Sequence, residues 1–415
     1  MWLIFLILMA RIWDCGFELQ SATGDIEYHA NISTPVLSST TVRSGARSLE
    51  IVSLASGLAN GVRNNPFSAA TGPFFYRQYL NIATMPGAEN RIIYLNDSDN
   101  QTTPMVWLTL DNGGVLRLYD EDAQITGTTT LSTGVWYRVE IEYDRSGVAG
   151  AHVVRARVDG TEFAGSATRD ISANVSFWGL GGNLNGEANT TGNWFFDDLA
   201  VNSSAGSLEN TYPGEGEEIH LYPNAAGDNA QWTRGGTNSG ANWSQVEEFP
   251  PNDATDYNES ATLNQIDDHN LDATPAALAS DDTINAVMVG MRIALSANTG
   301  ADPNAVLRIK ASASGTVEET ANLAGNSATW GTHRMSGGSL MDYRLVLYDL
   351  PGASTTAWTK ADLDVAQIGY RESNTDTDFY RFSAIWLLVD HKPAVGGAAA
   401  EPQSVMQPFF AGPIL

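Results

Sequence analysis

The first residues in this chain whose spacing could do chemistry are carboxylates. Glu140 and Glu142 stand two apart in Trp136-Tyr-Arg-Val-Glu-Ile-Glu-Tyr143, with Asp144 just beyond. Two carboxylates flanking a glycosidic bond are the machinery of sugar hydrolysis. On an extended strand, residues two apart share a face. Trp136 and Arg138 lie on that same face, while Tyr137, Val139, Ile141 and Tyr143 form the other. The apolar set must meet the core, so the acids are expected on a solvated outer face, without a catalytic role. The six histidines are scattered without metal-ligand spacing, which argues against zinc. No Gly-x-Ser-x-Gly elbow occurs, and neither Gly113-Gly114 nor Gly181-Gly182 opens a helix that could hold phosphate. The lone cysteine, Cys15, has Asp14 beside it, an acid that suppresses thiolate, so it reads as a buried structural residue. No catalytic set emerges, and the chain is expected not to be an enzyme.

Two ligand classes remain. Hard cations want six to eight oxygens, and oxygen-rich runs occur at Asn96-Asp-Ser-Asp-Asn100, at Asp120-Glu-Asp122 and at Asp197-Asp198. No cofactor is required. If a metal is bound, calcium is expected, with Asp97, Asp99, Asp197 and Asp198 as its candidate ligands. Neither loop forms a full calcium loop, and an ordinary acidic turn is the competing account. Period-two alternation places Asp197 and Asp198 on opposite faces of a strand, one engaged at the sandwich edge and the other in water. Sugars would need exposed aromatic rings. Trp107, Trp178 and Trp194 are the candidates, against the commoner role of tryptophan in a core.

These residues sit on short alternating segments. Arg47–Val52, Phe74–Ile82, Arg91–Leu95, Val106–Leu110, Val115–Tyr119, Trp136–Tyr143, Val153–Val158 and Val175–Leu180 precede a closing strand, Trp194-Phe-Phe-Asp-Asp-Leu-Ala-Val201. In Phe74–Ile82, Phe75, Arg77, Tyr79 and Asn81 share one face, and Phe74, Tyr76, Leu80 and Ile82 the other. Turn chemistry at Asp111-Asn-Gly-Gly114 and Asp159-Gly160 joins neighbouring strands as hairpins. With 39 glycines and few charged residues, the pattern is all-β. Residues 11–204 are expected to form one antiparallel β-sandwich and 219–393 a second. A short acidic linker at 205–218, centred on Pro213-Gly-Glu-Gly216, joins them. In the second unit, strands are expected at Ala286–Leu295, Ala305–Ala311, Asp342–Tyr348 and Phe379–Val389, with a short helical or irregular piece after Trp358.

Residues 1–10 are an apolar extension too short to span a bilayer, with no positively charged residue before the apolar block. Met9 is a plausible natural start. Residues 394–415 are rich in Ala, Gly and Pro and end in Phe409-Phe-Ala-Gly-Pro-Ile-Leu415. Exposed, both apolar ends would favour aggregation, and the C-terminal segment is expected to contact another subunit or to fold back across a sandwich edge. The formal net charge of −26 argues against nucleic acid and anionic membrane as partners.

The order of these features resembles tailed-bacteriophage virion structural proteins. Met9-Ala-Arg-Ile-Trp-Asp-Cys-Gly-Phe-Glu-Leu19, Val42-Arg-Ser-Gly-Ala-Arg-Ser-Leu-Glu50 and Phe196-Asp-Asp-Leu-Ala-Val201 look like a concanavalin A-like lectin/glucanase (LamG-like) jelly-roll module. The second unit is similar to a module recurring in virion proteins, through Asn242-Trp-Ser-Gln-Val-Glu-Glu-Phe-Pro-Pro-Asn-Asp253, Val365-Ala-Gln-Ile-Gly-Tyr370 and Phe382-Ser-Ala-Ile-Trp-Leu-Leu-Val389. The resemblance implies two tandem jelly-roll domains on a virion surface, as a capsid decoration or a tail or fibre component made in the host cytoplasm. It implies other virion subunits as partners, a homo-oligomer or capsid and tail proteins, with contact to host glycans. The alternative is an extracellular carbohydrate-binding or glycan-cleaving protein of the same fold.

Overall fold

The computed structural model describes residues 10–19, 29–30, 36–54, 60–63, 72–98, 104–182, 190–297, 303–324, 328, 330–331, 335–336, 339–340, 344–353, 355–374 and 378–394. Within them the chain is all-β and antiparallel. Sheet 1 runs, in spatial order, Thr161–Arg169, His152–Val158, Trp136–Asp144, Phe74–Thr84, Gly192–Ser203, Ser48–Ser53 and Val36–Ser38, with Arg11–Cys15 beside the far end of Gly192–Ser203. Sheet 2 runs Gln124–Thr130, Val115–Asp120, Val106–Leu110, Asn90–Asn96, Phe177–Gly182, Asn60–Arg63 and His29–Ala30. Together they enclose one core that includes Trp13, Phe74, Trp178, Trp194 and Phe196.

Sheet 3 runs Thr233–Gly236, Asp256–Ser260, Tyr380–Lys392, Thr283–Leu295 and Arg344–Leu347, with Glu217–Leu221 also paired to Tyr380–Lys392. Sheet 4 runs Pro223–Ala230, Ile266–Leu271, Gln367–Asn374, Asn304–Lys310 and Val317–Glu319, with Leu323–Ala324 beside Asn304–Lys310. Their shared core holds Trp232, Tyr370, Phe382 and Trp358. Each fully buried aromatic of this kind contributes about 1.5–3 kcal/mol. The segment after Trp358 is a single turn, Lys360–Leu363, closed by a capping box between Thr359 and Asp362.

The strand Phe74–Thr84 alternates as its sequence dictates, with Phe74, Tyr76, Leu80 and Ile82 in the core. Tyr380–Lys392 is different, because it is apolar on both faces. Ile385, Leu387 and Val389 enter the second core. Ala384, Trp386 and Leu388 point the other way, into a small cluster with Met288 and Val346 that also takes Leu19 from the first unit. A strand covered on both sides reads as an unbroken hydrophobic run, which explains Phe382-Ser-Ala-Ile-Trp-Leu-Leu-Val389.

Residues 205–218 are tied to sheet 1 along most of their length. Tyr212 Oη donates to Glu142 Oε2 at 2.8 Å, and the Gly214 N–H donates to Glu140 Oε1 at 3.0 Å. The Tyr212 ring packs on Phe75 at 5.0 Å between centroids, under the Arg157 guanidinium at 3.7 Å. This corrects the expectation of a solvated face at Glu140 and Glu142. The acids do point away from the core, but the following segment lies over them, and Glu140 is 1% exposed.

Turn chemistry differs at one hairpin. Asp159 and Gly160 both take positive φ, 50° and 80°, as a two-residue turn demands. At Asp111–Val115 only Gly114 is left-handed, at φ 76°. Asp111 Oδ1 instead accepts the N–H groups of Gly113 and Val115 at 2.8 and 2.9 Å. The loop is therefore three residues long, closed by an aspartate side chain and a terminal glycine.

Candidate functional site

Sheet 1 turns its outer face toward residues 205–218 and the second unit, whereas the outer face of sheet 2 carries a row of aromatic and charged side chains. Register sets the row. Trp107 stands opposite Tyr119, and Thr109 opposite Arg117. On the other flank Trp107 faces Tyr94, and Thr109 faces Arg91. Because Val106, Leu108, Leu110, Leu116 and Leu118 fill the core, their alternating neighbours must point outward.

The Trp107 and Tyr119 rings lie nearly parallel, at 4° with centroids 5.4 Å apart. The Arg91 guanidinium sits 5.0 Å from the Trp107 centroid, so the indole is gripped from both neighbouring strands. Glu89 ties the row together, because its Oε1 accepts from Thr109 Oγ1 at 2.6 Å and from Tyr119 Oη at 2.9 Å. Arg117 bridges to Asp111 Oδ2 at 2.8 Å and reaches Glu89 Oε2 at 3.7 Å. Burial and the Glu89 bond raise the Tyr119 phenol above its usual range, which keeps it a hydrogen-bond donor. Tyr94 lies across Gly179, where a Cβ would come within 2.0 Å of its ring. The result is an ordered surface on which Trp107, Asp111, Arg117 and Tyr119 are half-exposed and Glu89 exposed, while Arg91 is buried beside them. Such a surface can accept and donate hydrogen bonds to a polyol while offering it aromatic contact.

Of the three tryptophans expected to meet sugar, only Trp107 is on this surface. Trp178 and Trp194 are both fully buried in the first core. Trp178 packs edge-on against Trp13 at 6.4 Å, and Trp194 donates its indole N–H to the Gly181 carbonyl at 3.0 Å. Burial in the core removes both from contact with a ligand. Tyr119, Arg91, Arg117, Glu89 and Asp111 escaped the sequence reading. Alternation along Val115–Tyr119 sets Arg117 and Tyr119 on the face opposite Leu116 and Leu118, but their meeting with Trp107 needs the hairpin register.

The candidate calcium ligands do not assemble. Asp97 is exposed at the end of Asn90–Asn96, and Asp99 lies outside the described residues. Asp197 and Asp198 do not divide between interior and water, because both are fully buried. A bulge between Asp197 and Ala200, with Asp198 at φ 50°, breaks the alternation. Their oxygens are occupied by protein donors. Asp197 accepts the Arg43 and Asp198 N–H groups at 2.9 and 3.0 Å. Asp198 accepts from Arg43 Nη1 at 2.5 Å, Ser44 Oγ at 2.5 Å and the Glu218 N–H at 2.9 Å. Among the described residues, no three His, Cys, Asp or Glu side chains are grouped to hold a metal. Cys15 is buried in the first core.

The second core contains polar residues that resemble a catalytic set but are sealed. Asp267 accepts the Gln231 and Trp232 N–H groups at 2.6 and 3.0 Å and the Asn242 amide at 2.8 Å. The Asn258 amide donates to Tyr370 Oη at 2.7 Å and to the Asn242 carbonyl at 2.8 Å. Burial lifts Asp267 to about 6 and drops His269, 3.4 Å from Tyr370 Oη, to about 3. With Tyr370 stacked on Phe382 at 3.9 Å, this network fastens the Asn242–Gln245 turn to the core, and Asp267, His269 and Tyr370 are all buried.

No family model and no curated protein matches the chain. Among solved structures it is similar to a cellulose-induced protein, Cip1, at 15% identity and a TM-score of 0.37, over 49% of this chain and 99% of that one. It is also similar to a Trypanosoma rangeli sialidase, at 14% identity and a TM-score of 0.35, over 46% of this chain and 30% of the sialidase. At these scores the likenesses carry no argument about activity.

Proposed function

We propose that this chain is a non-enzymatic carbohydrate-binding protein whose contact surface is the outer face of sheet 2 around Trp107 and Tyr119. The observation that carries the reading is the parallel Trp107–Tyr119 pair, locked by Arg91 and Glu89 on a half-exposed sheet face. Ordered aromatic and planar polar groups lose little entropy on binding. The charges of Arg91 and Arg117 balance those of Glu89 and Asp111. With a net charge of −26 on the whole chain, that balance favours a neutral glycan over an anionic one. Both carboxylates of the row are already bonded to Arg117, Thr109 or Tyr119, so neither is placed as a free acid or base.

The test is a glycan array followed by titration of the best neutral oligosaccharide. Trp107→Ala should weaken binding about tenfold or more, ~1.4 kcal/mol, with the melting temperature nearly unchanged. Equal binding by wild type and variant would reject the site. Release of reducing ends from any bound glycan would reject the non-enzymatic reading. The virion surface is the setting that the sequence motifs favour, and stoichiometric presence in purified particles is its test.

A further inference from the structure

We propose that the junction between the two sandwiches is a proton-dependent latch, closed while the buried carboxyls Asp14 and Glu218 keep their protons and loosened when they ionise. The junction is built from charge on every side. Strand Arg11–Cys15 brings Arg11 and Asp14, Phe74–Thr84 brings Arg77, and the bulge in Gly192–Ser203 brings Asp198. Arg43 enters from the segment after Val36–Ser38. From the second unit come Glu217 and Glu218 on Glu217–Leu221 and Asp390 on Tyr380–Lys392, with Glu209 from the connecting segment.

Arg11 pairs with Asp14, with Asp390 at 2.7 Å and with Glu209 at 3.2 Å. Arg77 reaches Glu218 at 3.3 Å and Asp390 at 3.5 Å. Arg43 holds Asp198 at 2.5 Å and Glu217 at 3.8 Å. The approach is close enough that a Cβ on Gly216 would fall 2.1 Å from Arg77 Nη1 and 2.4 Å from Asp390 Oδ1.

Three guanidinium groups (Arg11, Arg43, Arg77) thus face six carboxylates (Asp14, Asp198, Glu209, Glu217, Glu218, Asp390), and the side chains of Arg11, Arg77, Asp14, Asp198, Glu218 and Asp390 are fully buried. Unpaired buried charge is costly, so such a site retains protons instead. Two oxygens mark where. Asp14 Oδ2 and Glu218 Oε2 are buried without a hydrogen-bond donor. The two acids also repel one another across the junction. Protonation of either acid removes that repulsion. His391, buried beside Asp282 at 3.1 Å and Glu217 at 3.9 Å, is pushed below its usual range by burial and supplies no compensating charge near neutrality. Tyr348 Oη accepts the Arg11 N–H at 2.7 Å, and Tyr79 lies 3.4 Å beneath Arg43.

The direction of the pH response follows. Burial raises Asp14 to about 6 against the pull of Arg11, and raises Glu218 well above its ordinary range with Asp14 adding to the effect. Glu209 and Glu217 are raised by burial too. Acids raised in the folded state stabilise it below their ordinary range, and that contribution is lost as pH climbs through the raised values. Asp390 works in the opposite sense. Burial would lift it, but Arg77 and Arg11 hold it below 3.8, so its contribution fails only in stronger acid. The latch is tightest near pH 4, where Asp390 is still ionised, and loosens steadily from there as pH climbs through about 6.

The experiment is limited proteolysis of the full chain, following cleavage within 204–216, with thermal melting alongside, at about pH 5.5 and about pH 8.5. Buried Glu372, in the second core, lowers stability with rising pH in the same sense, so all proteins carry Glu372→Met. The parent should be cut several-fold faster and melt several degrees lower at the higher pH. Glu218→Gln, which is neutral at every pH, should reduce both responses several-fold, leaving the smaller part that Glu209, Glu217, Asp197 and Asp267 carry. Asp14→Asn is the second variant should Glu218→Gln fold poorly. A parent with no pH dependence in that segment, or variants with the parent's full response, would overturn the latch.

Discussion

Glu372 is fully buried in the second sandwich, and neither of its carboxyl oxygens has a hydrogen-bond partner. Burial lifts its pKa to about 8. At neutral pH it is therefore a protonated acid in the fold and an ionised one in the unfolded chain. Its contribution is most favourable below the ordinary glutamate range and is lost as pH rises from there through about 8. Glu372→Met, a near-isosteric apolar replacement, should raise the melting temperature by a few degrees, more at pH 8 than at pH 5. A variant that melts below wild type at pH 8 would mean that Glu372 has a partner of its own. At the same scale, Tyr119→Phe removes the bond to Glu89 but keeps the ring. Glycan affinity should fall by less than for Trp107→Ala, by about 0.5–1.5 kcal/mol in titration.

The elements show what local pattern can and cannot reveal. Strands with one half-exposed and one dry face, such as Val115–Asp120, were legible because alternation alone assigns their faces. Ile266–Leu271 was not, since Asp267, Asp268 and His269 are all buried and look like a loop in sequence. Their burial rests on donors from distant segments, chiefly Gln231, Trp232, Asn242 and Asn229. Pro223–Ala230 was missed for the converse reason, as an edge strand of small polar residues with no apolar stripe. The motif Asn242-Trp-Ser-Gln245 was visible, but its role as a clasp was not. Asn242→Ala strips donors from Asp267 and the Trp232 carbonyl. It should cost about 1–3 kcal/mol, read as a lower midpoint in urea with unchanged slope. Gly160→Val should act at the hairpin alone, costing about 1–2 kcal/mol where φ is 80°.

On the scale of the whole molecule, composition and strand spacing spoke for all-β sandwiches, but not for how tightly the two halves meet. The acidic, glycine-rich stretch at 205–218 reads as a spacer, yet Tyr212 and Gly214 fasten it to Glu142 and Glu140. Nothing local in Arg11, Arg77 or Asp390 announces that residues more than 300 positions apart share one buried network. The apolar side of the contact is equally non-local, with Leu19 entering the cluster around Trp386. Breaking one partner of a buried ion pair costs more than the pair contributes, because the other charge is left stranded. The two sandwiches should therefore unfold together, with calorimetric and van't Hoff enthalpies in agreement near pH 5.5. Arg77→Met leaves Asp390 and Glu218 short of a counter-charge, and Leu19→Asp places a carboxylate against Trp386. The double variant should split the single heat-absorption peak into two, since each half keeps its own core. Two separate peaks already present in the wild type, at concentrations where it is a single species, would show that the junction contributes too little to couple the halves.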